Sequence, residues 1–432
     1  RNHGKNPGLF SLPGNWWQIA QLLIRRGNTR TIMSVTIALV GCLDTKGEET
    51  GFLREVIENT GNRAWVIDTG VLEPPAFEAD TARETVAEAG GASLAELLEK
   101  KDRGFAMTAM SAGAAAIVAE LFANSAIDGI IAAGGSANTT IGATAMQALP
   151  VGFPKMIVST LACGDVSAWV GTRDITMMYS VVDIAGINRI SAVILRNAAN
   201  AVVAMAAGKE EEPGDTRPLI AASMFGVTTP CVTEARRVLE EAGFEVIVFH
   251  STGAGGRTME ALISDGCFAG VLDITTTELA DERIGGILSA GPQRLTAAGL
   301  NGTPQVVSTG ATDMVNFGGT TPAEFDGRLF YRHNPTVTLM RTTADECREL
   351  GREIAEKVSG ARGPASIMLP LSGVSAIDRE GEVFDDPDAR GALFDAIRQY
   401  PAEVELIELP FHINDPEFAE ACARRLVELI RQ

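Results

Sequence analysis

Three glycines spaced G-x-G-G lie between a histidine and an arginine in FHSTGAGGRTMEALI, residues 249–263. Gly253, Gly255 and Gly256 can take φ > 0 and turn several amides toward one point, the geometry of an anion nest. His250 and Arg257 flank that turn as candidate base and cation clamp. The same residues also make a tight corner that needs no ligand. The following strand exits at LDITTTELADE (272–282), which places Asp273, Thr275, Thr276 and Glu278 beside His250 if the two strands are neighbours; Thr277 is available to cap the next helix.

Other strand exits carry similar chemistry. In VGCLDTKGEE (40–49), Thr45 and Glu48 have the spacing of a capping box. Asp44 is left to hold a metal or a ribose and Lys46 to complement a phosphate, unless the loop is only a solvated tip. In AAGGSANTTIG (132–142), Gly134 and Gly135 allow close backbone approach, and Ser136, Asn138 and Thr139 open a helix whose free amides attract anions. The stretch 159–190 gathers Asp165, Thr172, Asp174, Ser180 and Asp183 in apolar surroundings, with Asp183 and Asn188 read as caps. Asp313 and Asn316, with Arg332, His333 and Asn334, form a possible far wall of a second pocket or plain loop punctuation. His412 is read as structural. No H-x-x-x-H or C-x-x-C spacing supports zinc.

These loops need a scaffold of strands. Short β-branched runs at 35–41, 63–70, 128–135, 155–161 and 174–183 alternate with amphipathic stretches, the pattern of a parallel sheet with crossover helices. Long helices are expected at 104–122 and 188–208. A second series of strands follows at 219–226, 245–251, 268–276, 305–311, 336–342, 365–371 and 404–410. The charged, Gly- and Pro-bearing segment between the two series reads as a boundary. The expected organisation is an extension at 1–33, a Rossmann-like nucleotide-binding domain at 34–208, a linker at 209–218 and a second Rossmann-like α/β domain at 219–432. Both domains are doubly wound with mostly parallel sheets, and they face each other across an interdomain cleft.

Bulk properties narrow the partners. A chain of 432 residues exceeds the usual limit of one core. Its formal charge of −19 argues against nucleic acid. Six scattered cysteines suit reduced thiols in a cytoplasm. No apolar run is read as long enough to span a bilayer, so no membrane partner is expected.

Several phrases together, LDTKGEE (43–49), GGS (134–136), GDV (164–166), DITMMYSVVDIAGINRI (174–190), STGAGGRTMEALI (251–263), LDITTTELADE (272–282), DMVNFG (313–318) and RHNP (332–335), resemble a family. It is the family of bacterial and fungal proteins that share the ATP-binding domain of the plant tomato mosaic virus resistance protein, and the resemblance runs from about residue 35 to the C-terminus. It implies two Rossmann-like domains, bound ATP and a homodimer or larger homo-oligomer. Carried over by position, it makes Asp44, Thr45, Lys46, Gly134, Gly135, Ser136, Thr139, Asp165 and Thr172 nucleotide-site candidates. His250, Gly253, Gly255, Gly256, Arg257, Thr276 and Glu278 become candidates for a second anionic ligand, with His250, Arg257 and Glu278 as the catalytic set. The chain departs from the family pattern at Ala137 and Asn138, where glycines are expected.

Two functions compete on these residues. One is an enzyme that uses ATP and Mg²⁺, held by Asp44 or Asp165, on a small carboxylated metabolite. The other is a non-catalytic module in which ATP governs protein binding. A dinucleotide-dependent oxidoreductase, with Asp68 on a ribose, is a third reading that the missing G-x-G-x-x-G weakens.

Overall fold

The computed structural model describes residues 34–208, 216–401 and 404–432. The extension read at 1–33 lies outside the described residues, as does most of the linker read at 209–218. Two compact units form, one from 34–170 with 175–208, the other from 171–174 with the described residues from 216 onward.

The first unit is built on strands β1 (Thr36–Gly41), β2 (Arg63–Asp68), β3 (Gly129–Gly134), β4 (Lys155–Ser159) and β5 (Thr176–Tyr179), in the order β2-β1-β3-β4-β5. Every pairing is parallel. A parallel sheet is covered on both faces, which is why its inner strands read as unbroken apolar runs. Alternate residues sort to opposite layers. Ala38, Val40, Ile67, Ile130 and Ala132 pack with the helices Arg103–Ala123 and Ser136–Gln147. Ile37, Leu39, Val66, Ile131 and Val158 pack with the helices Gly47–Asn59 and Arg189–Ala207. The expectation about apolar length is corrected here: Arg103–Ala123 and Arg189–Ala207 are long and apolar enough to cross a membrane by length and composition. Each nevertheless lays one face on this sheet.

The second unit repeats the winding. Strands β6 (Leu219–Met224), β7 (Glu245–His250), β8 (Gly270–Thr275) and β9 (Gln305–Gly310) join two later strands in one sheet. Between β9 and those strands the chain makes β10 (Met314–Phe317), β11 (Phe330–Asn334) and β12 (Val337–Arg341), then returns as β13 (Ala365–Pro370) and β14 (Glu405–Leu409). The main sheet is wholly parallel, in the order β14-β13-β9-β8-β6-β7.

The strand expected at 336–342 is β12, but it leaves the main series: it pairs antiparallel with both β10 and β11 in a separate sheet. Only residues 311–313 separate β9 from β10. A parallel crossover needs a dozen or more residues, and both edges of β9 are already taken by β8 and β13, so β10 pairs elsewhere.

In each parallel sheet the winding reverses beside the first strand, between β1 and β3 and between β6 and β8. There the loops at the carboxyl ends part, and doubly wound sheets open a crevice.

Candidate functional site

At the reversal point of the first sheet lies a cavity of about 790 Å³. Its walls come from the exits of β1 (Cys42, Asp44, Thr45) and β2 (Thr69 to Glu73), from Ala137 and Ile141 beyond β3, and from a segment running from Leu97 to Met110. That size suits a small-molecule ligand.

Carboxylates fix the loops around it. Asp68, buried at the end of β2, accepts from the Leu43 N–H at 3.0 Å and the Gly70 N–H at 2.8 Å through one oxygen. Burial pushes its carboxyl above the usual range, against the pull of those two donors. It ties one loop to the next, so its backbone contacts leave the ribose role of the oxidoreductase reading without support. Asp44 accepts from the Val71 and Leu72 N–H groups at 2.9 and 2.7 Å through Oδ2. Its Oδ1 is buried and has no partner.

The turn after β3 is locked from inside. Asn138 is buried, donates to the Ala133 carbonyl at 3.1 Å and accepts from the Cys42 thiol at 2.7 Å. Desolvation pushes that thiol up to about 12, so it stays protonated as a donor. Asn138, at one of the two positions where the family pattern has glycine, folds back over Gly134, where a Cβ would stand 2.5 Å from the asparagine Cβ, and its side chain turns into the fold. Gly135 precedes the helix, no side chain caps its first turn, and Ser136 is exposed.

Other predicted residues lie elsewhere. Thr139 is fully buried, its hydroxyl 2.7 Å from that of Ser159. Lys46 donates to the Ile184 carbonyl at 2.5 Å and lies 3.7 Å from Glu49, which binds it within its own chain. The capping box read at Thr45 and Glu48 does not form: the helix begins at Gly47, Lys46 occupies the cap position without a side-chain bond, and Glu48 accepts from Ile187 instead. Thr45 is thereby left exposed on the cavity wall. Asp165 is exposed and accepts from the Ser167 N–H at 2.9 Å, which holds its carboxyl below the usual range. Thr172 falls in the segment that groups with the second unit. Asn188 does cap its helix, accepting from Ile190 and Ser191.

Lys101 and Arg103 are the cationic cavity residues that sequence reasoning missed, beside the apolar Leu97, Met107 and Met110. Both are exposed, on either side of Asp102, the N-cap of the helix Arg103–Ala123. The signal was KKDRG, a charged break ending in a capping residue.

In the second unit the glycine turn is a nest already filled. Gly253 has φ +80, and its N–H donates to Glu278 Oε1 at 2.7 Å; the Gly256 N–H reaches the same oxygen at 3.1 Å. The other Glu278 oxygen accepts from Arg294 Nε at 2.7 Å. Arg294, with no exposed surface, also donates to both oxygens of Asp273, to the Thr275 carbonyl and to Glu260. Asp273 and Glu278 hold its guanidinium protonated against the cost of burial. Glu278 is thus corrected from catalyst to internal anion, and Gly253 and Gly256 from ligand cradle to its holders. A Cβ on Gly255 would stand 1.9 Å from the His250 carbonyl, so this glycine serves packing. Thr276 is buried and donates to the Ser308 carbonyl at 3.1 Å. Arg257 is exposed and donates to the Ser289 carbonyl at 2.8 Å, and exposed His250 stacks edge-on to Phe225 at 5.4 Å. Thr277 opens its helix but caps nothing.

Asp313 and Asn316 are buried, whereas Arg332, His333 and Asn334 lie exposed on β11, so the far wall read from these five does not form as one surface. His412 is buried; its Nδ1 accepts from the Asn414 N–H at 3.1 Å, which leaves Nε2 to donate to the Ser375 carbonyl at 2.8 Å. Among the described residues, no three His, Cys, Asp or Glu side chains gather as a metal site.

Family models agree with the two units. The N-terminal domain model of the uncharacterised protein family UPF0261 matches residues 35–211, and its C-terminal domain model matches 217–430. A UPF0261 protein of Clostridium tetani is 50% identical over 404 residues, 93% of this chain and 100% of that one. A UPF0261 protein of Rhizobium meliloti is 46% identical over 89% of this chain and 96% of its own. The ToMV resistance protein Tm-1 of Solanum lycopersicum is 41% identical over 76% of this chain and 45% of its own length.

Proposed function

Because the chain belongs to the UPF0261 family, to which the tomato resistance protein is related, we propose that its first unit binds ATP with a divalent cation in the cavity where β1 and β3 part. The observation that carries this reading is the cavity's place and make-up. Leu97, Met107 and Met110 offer an apolar wall for a base. The uncapped first turn at Ser136 and Ala137, with Thr45, Lys101 and Arg103, offers donors and positive charge for phosphates. Mg²⁺ is usually held by one or two carboxylates plus the phosphates it accompanies. Asp44 Oδ1, buried and without a partner, fits that modest demand.

Calorimetric titration with ATP, ADP, AMP and adenosine, with and without Mg²⁺, tests the reading. ATP should bind the wild-type chain and fail to bind Ala137→Trp, which fills the cavity, while circular dichroism stays unchanged. A wild-type chain that takes up none of the four sinks it.

Chemistry on a small carboxylated metabolite is the finer part of the reading. It is abandoned, and binding alone kept, if no ADP, AMP or phosphate is released across a library of carboxylic acids.

A further inference from the structure

Among the described residues of the second unit, four buried side-chain oxygens have no hydrogen-bond partner: Thr277 Oγ1, Thr309 Oγ1, Asp313 Oδ1 and Asn316 Oδ1. None of the four residues is more than 1% exposed. Leaving a buried polar atom unpaired costs roughly 1–3 kcal/mol, so four in one region call for an occupant.

The topology carries them on adjacent segments. Thr275 pairs with Gly310 across β8 and β9, and the Thr276 N–H donates to the Gly310 carbonyl at 3.0 Å. Thr277 and Thr309 each sit one residue outside that junction. Asp281, one helical turn beyond Thr277, accepts from the Asn316 side chain at 2.8 Å and from its N–H at 3.0 Å. Asp313 stands in the turn joining β9 to β10, where the Thr309 carbonyl accepts from the Thr312 hydroxyl at 2.8 Å. Thr277 and Thr309 thus flank the carboxyl ends of β8 and β9, and Asp313 and Asn316 follow in the turn after β9 and on β10.

The geometry points to an enclosed site for a monovalent cation, potassium in the first instance, ligated by these hydroxyl, amide and carboxylate oxygens. The donor set is all oxygen, which excludes softer metals. Asp313 supplies its only carboxylate oxygen, and the other Asp313 oxygen already accepts from Ser375 at 2.8 Å. Divalent calcium sites gather several carboxylates. Largely neutral oxygens instead replace the hydration shell of potassium, as carbonyl rings do in channels.

Thermal melting in potassium, sodium and choline chloride at equal ionic strength tests this. At a hundredfold excess over its dissociation constant, potassium should raise the melting temperature by about 5 °C over choline. Thr309→Val, which removes one oxygen and keeps the shape, should abolish that difference. A second measurement needs no variant: crystals of the wild-type chain grown with thallium(I) should show an anomalous peak among the four oxygens. Equal melting in all three salts, or a site holding only water in thallium crystals, overturns the proposal.

Discussion

Arg294 and Glu278 meet at 2.7 Å with no solvent exposure on either side chain. The pair explains why the glycine turn after β7 is shaped like an anion nest although no outside anion need enter it. Removing one partner of such a pair leaves a buried charge. Glu278→Gln keeps the shape but not the charge, and should lower unfolding free energy by about 3–5 kcal/mol. Urea denaturation followed by circular dichroism reads it; a loss under about 1 kcal/mol would contradict the node.

Space around the glycines makes a second test. A Cβ on Gly256 would stand 2.1 Å from Glu278 Oε2, so Gly256→Ala must push the carboxylate from its two amides and from Arg294. Gly391, within the helix Pro387–Arg398, has nothing within 4 Å of its Cβ direction. Gly391→Ala should therefore stabilise by about 0.5–1 kcal/mol, while Gly256→Ala destabilises by at least about 1–3 kcal/mol. Equal melting temperatures for the two variants would refute this contrast.

Cations divide in a way that bears on the proposed nucleotide. Lys101→Ala and Arg103→Ala should each weaken ATP binding about tenfold, which is about 1.4 kcal/mol, with the loss shrinking at high salt. Lys46→Ala should leave affinity unchanged, because that ammonium is engaged by Ile184 and Glu49. Calorimetry on the three variants decides; a Lys46→Ala protein that binds no ATP would reverse the assignment.

His412 gives a pH-dependent stability. Burial holds its imidazole below the ordinary histidine value, opposed by the Ser375 carbonyl it donates to and by Asp415 and Asp378, and reinforced by Arg379. The unfolded chain thus takes up the proton first, at about pH 6.5. The stability from neutral His412 is complete above that value and is lost as pH falls through the lower folded value. The stability gap between wild type and His412→Gln should narrow from about pH 8 to about pH 5. A gap that stays constant over that range would show that the imidazole does not titrate as described.

Strand periodicity made both parallel sheets legible, because each inner strand is an apolar run bounded by a turn. The site was legible only as a location. Asp44 and Thr45 were found because they follow β1, but no local pattern tells that Lys46 turns to Ile184, 138 residues away. Arg294 escaped notice for the same reason: its partners Glu260, Asp273 and Glu278 reach it through tertiary packing. Lone buried arginines carry no sequence spacing. Strands β10 and β11 were missed because their pairing is set by a short connection and not by composition.

The all-parallel ladders also bear on how the chain reaches this state. No strand of either main sheet can meet its neighbour until an intervening crossover has closed, so nearly all native pairing is non-local and folding is correspondingly slow. Arg294 can shed its water at little cost only once acids from three separate elements have arrived around it. Assembly of that cluster therefore belongs after the rate-limiting barrier, and disrupting it should speed unfolding while leaving the refolding rate nearly untouched.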